Sequence, residues 1–257
     1  MEKSKKFFLL GAFMSSVLIS TTAQAEEKNY ESNTITQFIP GSGPMDPLYP
    51  LDPDPEKPVG PIDPTNPGGK PDPGTHGPLT IDYASSWDFG QQKISSKDEK
   101  YIAKKVTLQD GRKVNPYVQV SDFRGTNGGW TLLLKQDKQL HNEDLLHSEL
   151  TGAEIEFDTN GSILGTSNIR RPGTDMGPLF LIPGGGNVRV MFAPEGAGAM
   201  TWILNMGRGN ETGVSGVRLS IPGKTPKDAG EYRTTLTWTL ADVPGEPEIL
   251  PPLPSKK

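Results

Sequence analysis

Tyr232-Arg233-Thr234-Thr235-Leu236-Thr237-Trp238-Thr239-Leu240 is the stretch on which the fold turns. Side chains of an extended strand point alternately to opposite faces. Tyr232, Leu236, Trp238 and Leu240 therefore share one side, and Arg233, Thr235, Thr237 and Thr239 the other. Repeated threonines, stiff at χ1, favour a strand over a helix. The same alternation recurs upstream at Val118/Val120, Trp130/Leu132/Leu134, Val188/Val190/Phe192 and Val217/Leu219/Ile221, the last run stopping at Pro222. Asp110-Gly111, Asn127-Gly128-Gly129, Asn160-Gly161 and Gly184-Gly185-Gly186 punctuate these runs as turns. Residues 137–149, with Leu140, Leu145 and Leu146, read as one short helix. Together these segments predict an all-β, β-sandwich-like domain over residues 79–245.

Upstream of that domain the texture changes. Residues 26–78 are polar and Pro-rich, and residues 40–78 alone hold 13 of the 25 prolines. Asp46, Asp52, Asp54, Asp63 and Asp72 each precede a proline. Proline fixes φ and pushes the residue before it toward extended geometry. The expectation is a disordered, solvated spacer that could run on the order of 100 Å if straight, at about 3.1 Å per residue.

The first 25 residues read as a secretory signal peptide: Lys3, Lys5 and Lys6, an apolar stretch from Phe7, then Ala23-Gln24-Ala25. A secreted, extracellular location follows as an expectation. The chain has no cysteine, so neither disulfides nor zinc-thiolate sites enter the argument. A formal net charge of -5 gives no basic footprint for nucleic acid. The tail, residues 246–257, ends in Lys256-Lys257, and its run Ile249-Leu250-Pro251-Pro252-Leu253-Pro254 carries no covalent sorting signal.

Catalysis finds little to work with. Glu154, Glu156 and Asp158 share one face of a strand, as a solvated face would. His76, His141 and His147 show no metal-binding spacing, and no nucleophile elbow is present. The expectation is no catalytic residue, no metal and no cofactor.

Trp130-Thr131-Leu132 and Trp238-Thr239-Leu240 repeat one tripeptide. The first follows Pro116-Tyr117-Val118-Gln119-Val120-Ser121-Asp122 and Arg124-Gly125-Thr126, and the second precedes Ala241-Asp242-Val243-Pro244. Ser86-Trp87-Asp88-Phe89-Gly90 with Lys93-Ile94-Ser95 stands ahead of both. In these motifs and their order, residues 79–245 resemble the WxL-domain surface proteins of low-GC Gram-positive bacteria. The resemblance implies non-covalent attachment to the cell wall with peptidoglycan as ligand. It also implies association with other WxL proteins and membrane-anchored surface proteins. A secreted adhesin or structural subunit that binds a host or partner protein is the alternative.

In a wall-binding reading, Trp130 and Trp238 would stack on sugar faces. Leu132 and Leu240 would widen the apolar patch, and Thr131, Thr239, Asp122 and Asp242 would supply polar neighbours. The same residues also fit the inward side of a sandwich, and the sequence leaves both readings open.

Overall fold

The structure is a computed structural model describing residues 28–66, 68–175, 177–207 and 214–245. The expected signal peptide and the tail at 246–257 lie outside the described residues. Residues 28–37 belong to a separate N-terminal unit and are exposed, without regular structure. The second unit, Phe38–Lys257, holds every strand.

Fourteen strands follow one another among the described residues of this unit: β1 (Pro61–Ile62), β2 (Leu79–Ala84), β3 (Glu99–Ile102), β4 (Val106–Leu108), β5 (Lys113–Val114), β6 (Tyr117–Asp122), β7 (Trp130–Gln136), β8 (Glu154–Asp158), β9 (Ile163–Gly165), β10 (Pro178–Leu181), β11 (Val188–Ala193), β12 (Met200–Asn205), β13 (Val217–Ile221) and β14 (Leu236–Ala241). They form four antiparallel sheets ordered β1-β4-β5, β10-β8-β13-β3, β11-β7-β14 and β2-β6-β12-β9. The fold is all-β. Residues 137–149 form no helix: His141 makes isolated bridges to Glu149 and Arg233, Leu140 is buried and Leu146 is exposed. A pair of bridges across the loop satisfies the backbone that a helical turn would have satisfied internally.

The main core gathers the inner faces of the three larger sheets. Val118, Val120 and Trp202 come from one, Trp130, Leu132 and Leu134 from the second, and Ile155, Phe157, Val217 and Leu219 from the third. One expected alternation fails at β11. A bulge between Arg189 and Met191 turns both Val190 and Met191 inward and sends Phe192 to the opposite face, where the Arg189 guanidinium lies 4.3 Å from its ring.

β6 is buried on both faces. Its second face, with Tyr117, meets Tyr83, Leu108, Val114 and Ile203 in a smaller core capped by Leu48. Here the Pro-rich segment departs from the expected disordered spacer, because its described residues from Gly41 to Pro78 pack onto the domain. Leu48 is wholly buried, and β1 pairs with β4. The segment has few N–H groups, and the sheet answers several of them. Met45 N–H donates to Asp82 Oδ1 (3.0 Å) and Leu48 N–H to Gln119 Oε1 (2.8 Å), while Gln119 Nε2 donates to the Asp46 carbonyl (3.1 Å). Turns also interrupt the expected extension: Asp52 N–H donates to the Tyr49 carbonyl (3.2 Å), Lys57 N–H to the Asp54 carbonyl (3.0 Å) and Gly69 N–H to the Asn66 carbonyl (2.9 Å). What composition hides is that Leu48, Tyr49 and Val59 give the segment an apolar side to bury.

Candidate functional site

The sheet β11-β7-β14 brings the two Trp-x-Leu segments side by side. Trp238 pairs with Leu134 and Leu240 with Leu132. Directly opposed residues of an antiparallel pair share a face, so Trp238 and Leu240 look the same way as the core row Trp130, Leu132 and Leu134. Their environments differ because β7 is central and β14 is an edge.

Trp130 is fully buried, and its indole N–H donates to the Gly198 carbonyl at 3.0 Å. Gly198 has φ of 73°, and a Cβ there would stand 2.7 Å from the Trp130 nitrogen and 2.4 Å from the Ala193 side chain. Glycine is what lets this backbone reach the ring. Trp130 and Leu132 are thus core residues with no face to offer a ligand, which corrects the platform reading for this first motif. Trp238, Leu236 and Leu240 are half-buried against the same core.

Thr131 and Thr239 lie on the opposite face of the sheet. Thr131 Oγ1 donates to the Val243 carbonyl at 3.0 Å, and Thr239 is exposed. Asp122 and Asp242 meet at neither Trp. Both bind Arg124, which the sequence reading quoted in a motif but did not count among the site residues. Arg124 Nε and Nη2 donate to the two oxygens of Asp122 (2.9 and 2.7 Å), Nη2 also to the Gly129 carbonyl (2.7 Å), and Nη1 to Asp242. The Asp122 carboxylate, whose side chain is 1% exposed, spends its hydrogen-bonding capacity on this clamp. It also holds the guanidinium more firmly protonated than usual. Arg124 therefore ties the end of β6 and the start of β7 to the end of β14.

Beside β14 opens a groove of about 1360 Å³. Phe89 and Ile94 from the segment after β2, Tyr101 of β3, Tyr232, Leu236 and Trp238 line it. Leu219 and Ile221 of β13 also line it. Trp87 borders it too, and its buried indole nitrogen has no hydrogen-bond partner. Of the charged side chains around the groove, Lys104 pairs with Asp88 (2.9 Å) and Arg233 with Glu231, Asp228 accepts from the His147 N–H (2.7 Å), and Lys93 and Lys227 have no carboxylate partner among the described residues. The Lys104 ammonium and the Gly90 N–H hold the Asp88 carboxyl below its ordinary range against the opposing effect of its burial, the largest single influence. Tyr232 is held in this lining, accepting from Asp228 N–H (3.0 Å) and donating to the His147 carbonyl (2.9 Å). Among the described residues no cluster of His, Asp and Glu could hold a metal ion.

Phe89 and Ile94 belong to the motif Ser86–Gly90 with Lys93–Ser95, which carried the resemblance but gave no site residue. Tyr101 carried no signal, because a half-buried tyrosine in a charged strand reads like any other amphipathic position. The profile of one family, described as WxL domain, surface cell wall-binding, matches residues 25–244. The chain belongs to the WxL family. This match begins upstream of the residues that carried the resemblance and includes the Pro-rich segment that packs on the WxL domain. No curated protein and no solved structure matches the chain.

Proposed function

We propose that this WxL protein is exported and held non-covalently on the wall by peptidoglycan lying in the groove beside β14. The observation that carries the reading is the position of Trp238: a half-buried ring lining a groove of about 1360 Å³, with Phe89, Tyr101 and Tyr232 also lining it. Aromatic faces stack on the C–H faces of sugars, and polar groups on the rim bond hydroxyls and amides.

The chain acts by binding and not by hydrolysis in this reading, in keeping with the description of its family. On the surface it would stand beside other WxL proteins and membrane-anchored partners. Co-sedimentation with purified peptidoglycan tests the proposal. Wild type should pellet, and Trp238→Ala should weaken binding roughly five- to thirtyfold, as loss of a stacked ring does. The walls should keep their turbidity throughout. A folded wild-type chain that stays in the supernatant ends the proposal.

A further inference from the structure

The free edge of β14 carries a pattern of its own. Asp137 N–H donates to the Thr235 carbonyl at 3.0 Å, and the register places Leu236 opposite Gln136. Hydrogen-bonded and non-hydrogen-bonded pairs alternate along an antiparallel ladder. The backbones of Thr235, Thr237, Thr239 and Ala241 therefore turn toward β7, and those of Leu236, Trp238 and Leu240 turn away from it. No backbone hydrogen bond joins these three residues to any other described segment, although β2 approaches the strand.

Natural sheets protect such edges with charge, proline, bulges or a covering segment. Most other edges in the described residues do: β3 carries Glu99 and Lys100, β10 begins with Pro178, β11 is bulged and bridged by Gly173, Thr75 bonds along β2, and β1, β5 and β9 are only two or three residues long. Among the described residues the six-residue β14 has none of these, and its sequence Leu-Thr-Trp-Thr-Leu-Ala is uncharged.

Residues 236–240 also read the same in both directions about Trp238. A two-fold axis through Trp238 would set Trp238 against Trp238, Leu236 against Leu240 and Thr237 against Thr239 of a second copy. We infer that β14 is a self-complementary docking strand, joining two copies of this chain edge to edge into one continuous six-stranded sheet, β11-β7-β14 doubled. Each copy contributes the N–H and C=O of Leu236, Trp238 and Leu240. The apolar side chains of those residues form an unbroken row on the groove side, and no like charges meet. The inference does not depend on which polymer the groove takes.

Register-specific cross-linking tests it, helped by the absence of native cysteine. In the dimer, Thr237 and the second copy's Thr239 form a non-hydrogen-bonded pair with Cα atoms about 4.5 Å apart, within reach of a disulfide. Full-length Thr237→Cys and Thr239→Cys chains, mixed under mild oxidation, should give a cross-linked dimer in at least tenfold excess over either variant alone. Sedimentation should show the unmodified chain in monomer–dimer equilibrium. Leu240→Pro removes one outward N–H per copy and no bond to β7, so it should weaken that equilibrium roughly tenfold or more while keeping the far-ultraviolet spectrum. A chain that stays monomeric at every concentration, with no excess cross-linking in the mixture, overturns the inference. That is the result expected if the edge is filled instead by the chain's own tail or by a strand of another protein.

Discussion

Trp238 stands directly across the ladder from Leu134, so both tryptophans of the repeated tripeptide look into the same side of one sheet. Identical words are given different tasks by position alone. Trp130, on the central strand, is covered on every side. Trp238, on the edge, keeps part of its ring free.

Truncating each ring should separate the tasks. Trp130→Ala empties a fully buried site and orphans the Gly198 carbonyl. It should cost about 3–5 kcal/mol, enough to abolish cooperative unfolding in a marginal domain. Trp238→Ala removes a half-buried ring and should cost no more than about 2 kcal/mol, leaving a clear melting transition. Thermal denaturation followed by circular dichroism checks both. Equal losses of stability would mean that Trp238 is as much a core residue as its twin.

The Arg124 clamp should be strongly asymmetric. Arg124→Ala leaves the buried Asp122 carboxylate without its cation and should cost about 3–5 kcal/mol. Asp242→Asn, at an exposed carboxylate, should cost under about 1 kcal/mol. Chemical denaturation of the two variants measures the difference. A mild Arg124→Ala phenotype would mean that water replaces the guanidinium at Asp122.

Much of this was legible before any coordinates. Period-two runs marked β6, β7, β13 and β14, because strands with one face on a core must alternate, and the turn residues fell between them. Two things were not legible. A bulge adds one residue to a strand without changing its composition, so Phe192 was assigned to the wrong face. The Pro-rich segment reads as solvated because its partners, Asp82, Gln119 and β4, lie far along the sequence and its one wholly buried apolar side chain, Leu48, stands among prolines and aspartates. At the site, the periodicity grouped Trp238 with Tyr232 and Leu236, but burial distinguishes Trp130 from Trp238. Burial depends on which strand is central, and that is fixed by pairings distant in sequence.

The packed Pro-rich segment makes its own prediction. Leu48 is wholly buried against Tyr117 and Ile203. Leu48→Ala should cost about 2–5 kcal/mol of stability. It should also open residues 41–78 to limited proteolysis, which the native chain should resist there. A freely solvated spacer would be cut readily in the native chain and would be indifferent to the substitution. Mass spectrometry of the early fragments decides between these outcomes.

Asp82 gives the molecule a pH dependence whose sign can be worked out. Its carboxylate is buried and accepts from Ser121 Oγ (2.6 Å), Thr80 Oγ1 (2.7 Å), Gln119 Nε2 (3.0 Å) and Met45 N–H (3.0 Å). Burial, which penalises the charge, outweighs those bonds and raises its pKa above the ordinary 3.8. The unfolded chain then releases this proton more readily than the folded one. The stabilisation linked to Asp82 is therefore fully present below pH 3.8 and is lost as pH rises through the raised value. Asp82→Asn cannot titrate, and every other carboxylate is common to both chains. The gap in melting temperature between wild type and Asp82→Asn should therefore shift against wild type as pH rises from below 3.8 to neutrality. A shift in the opposite direction would mean that the four donors hold the carboxylate charged more strongly than burial opposes it, making Asp82 an anionic clasp for the Pro-rich segment.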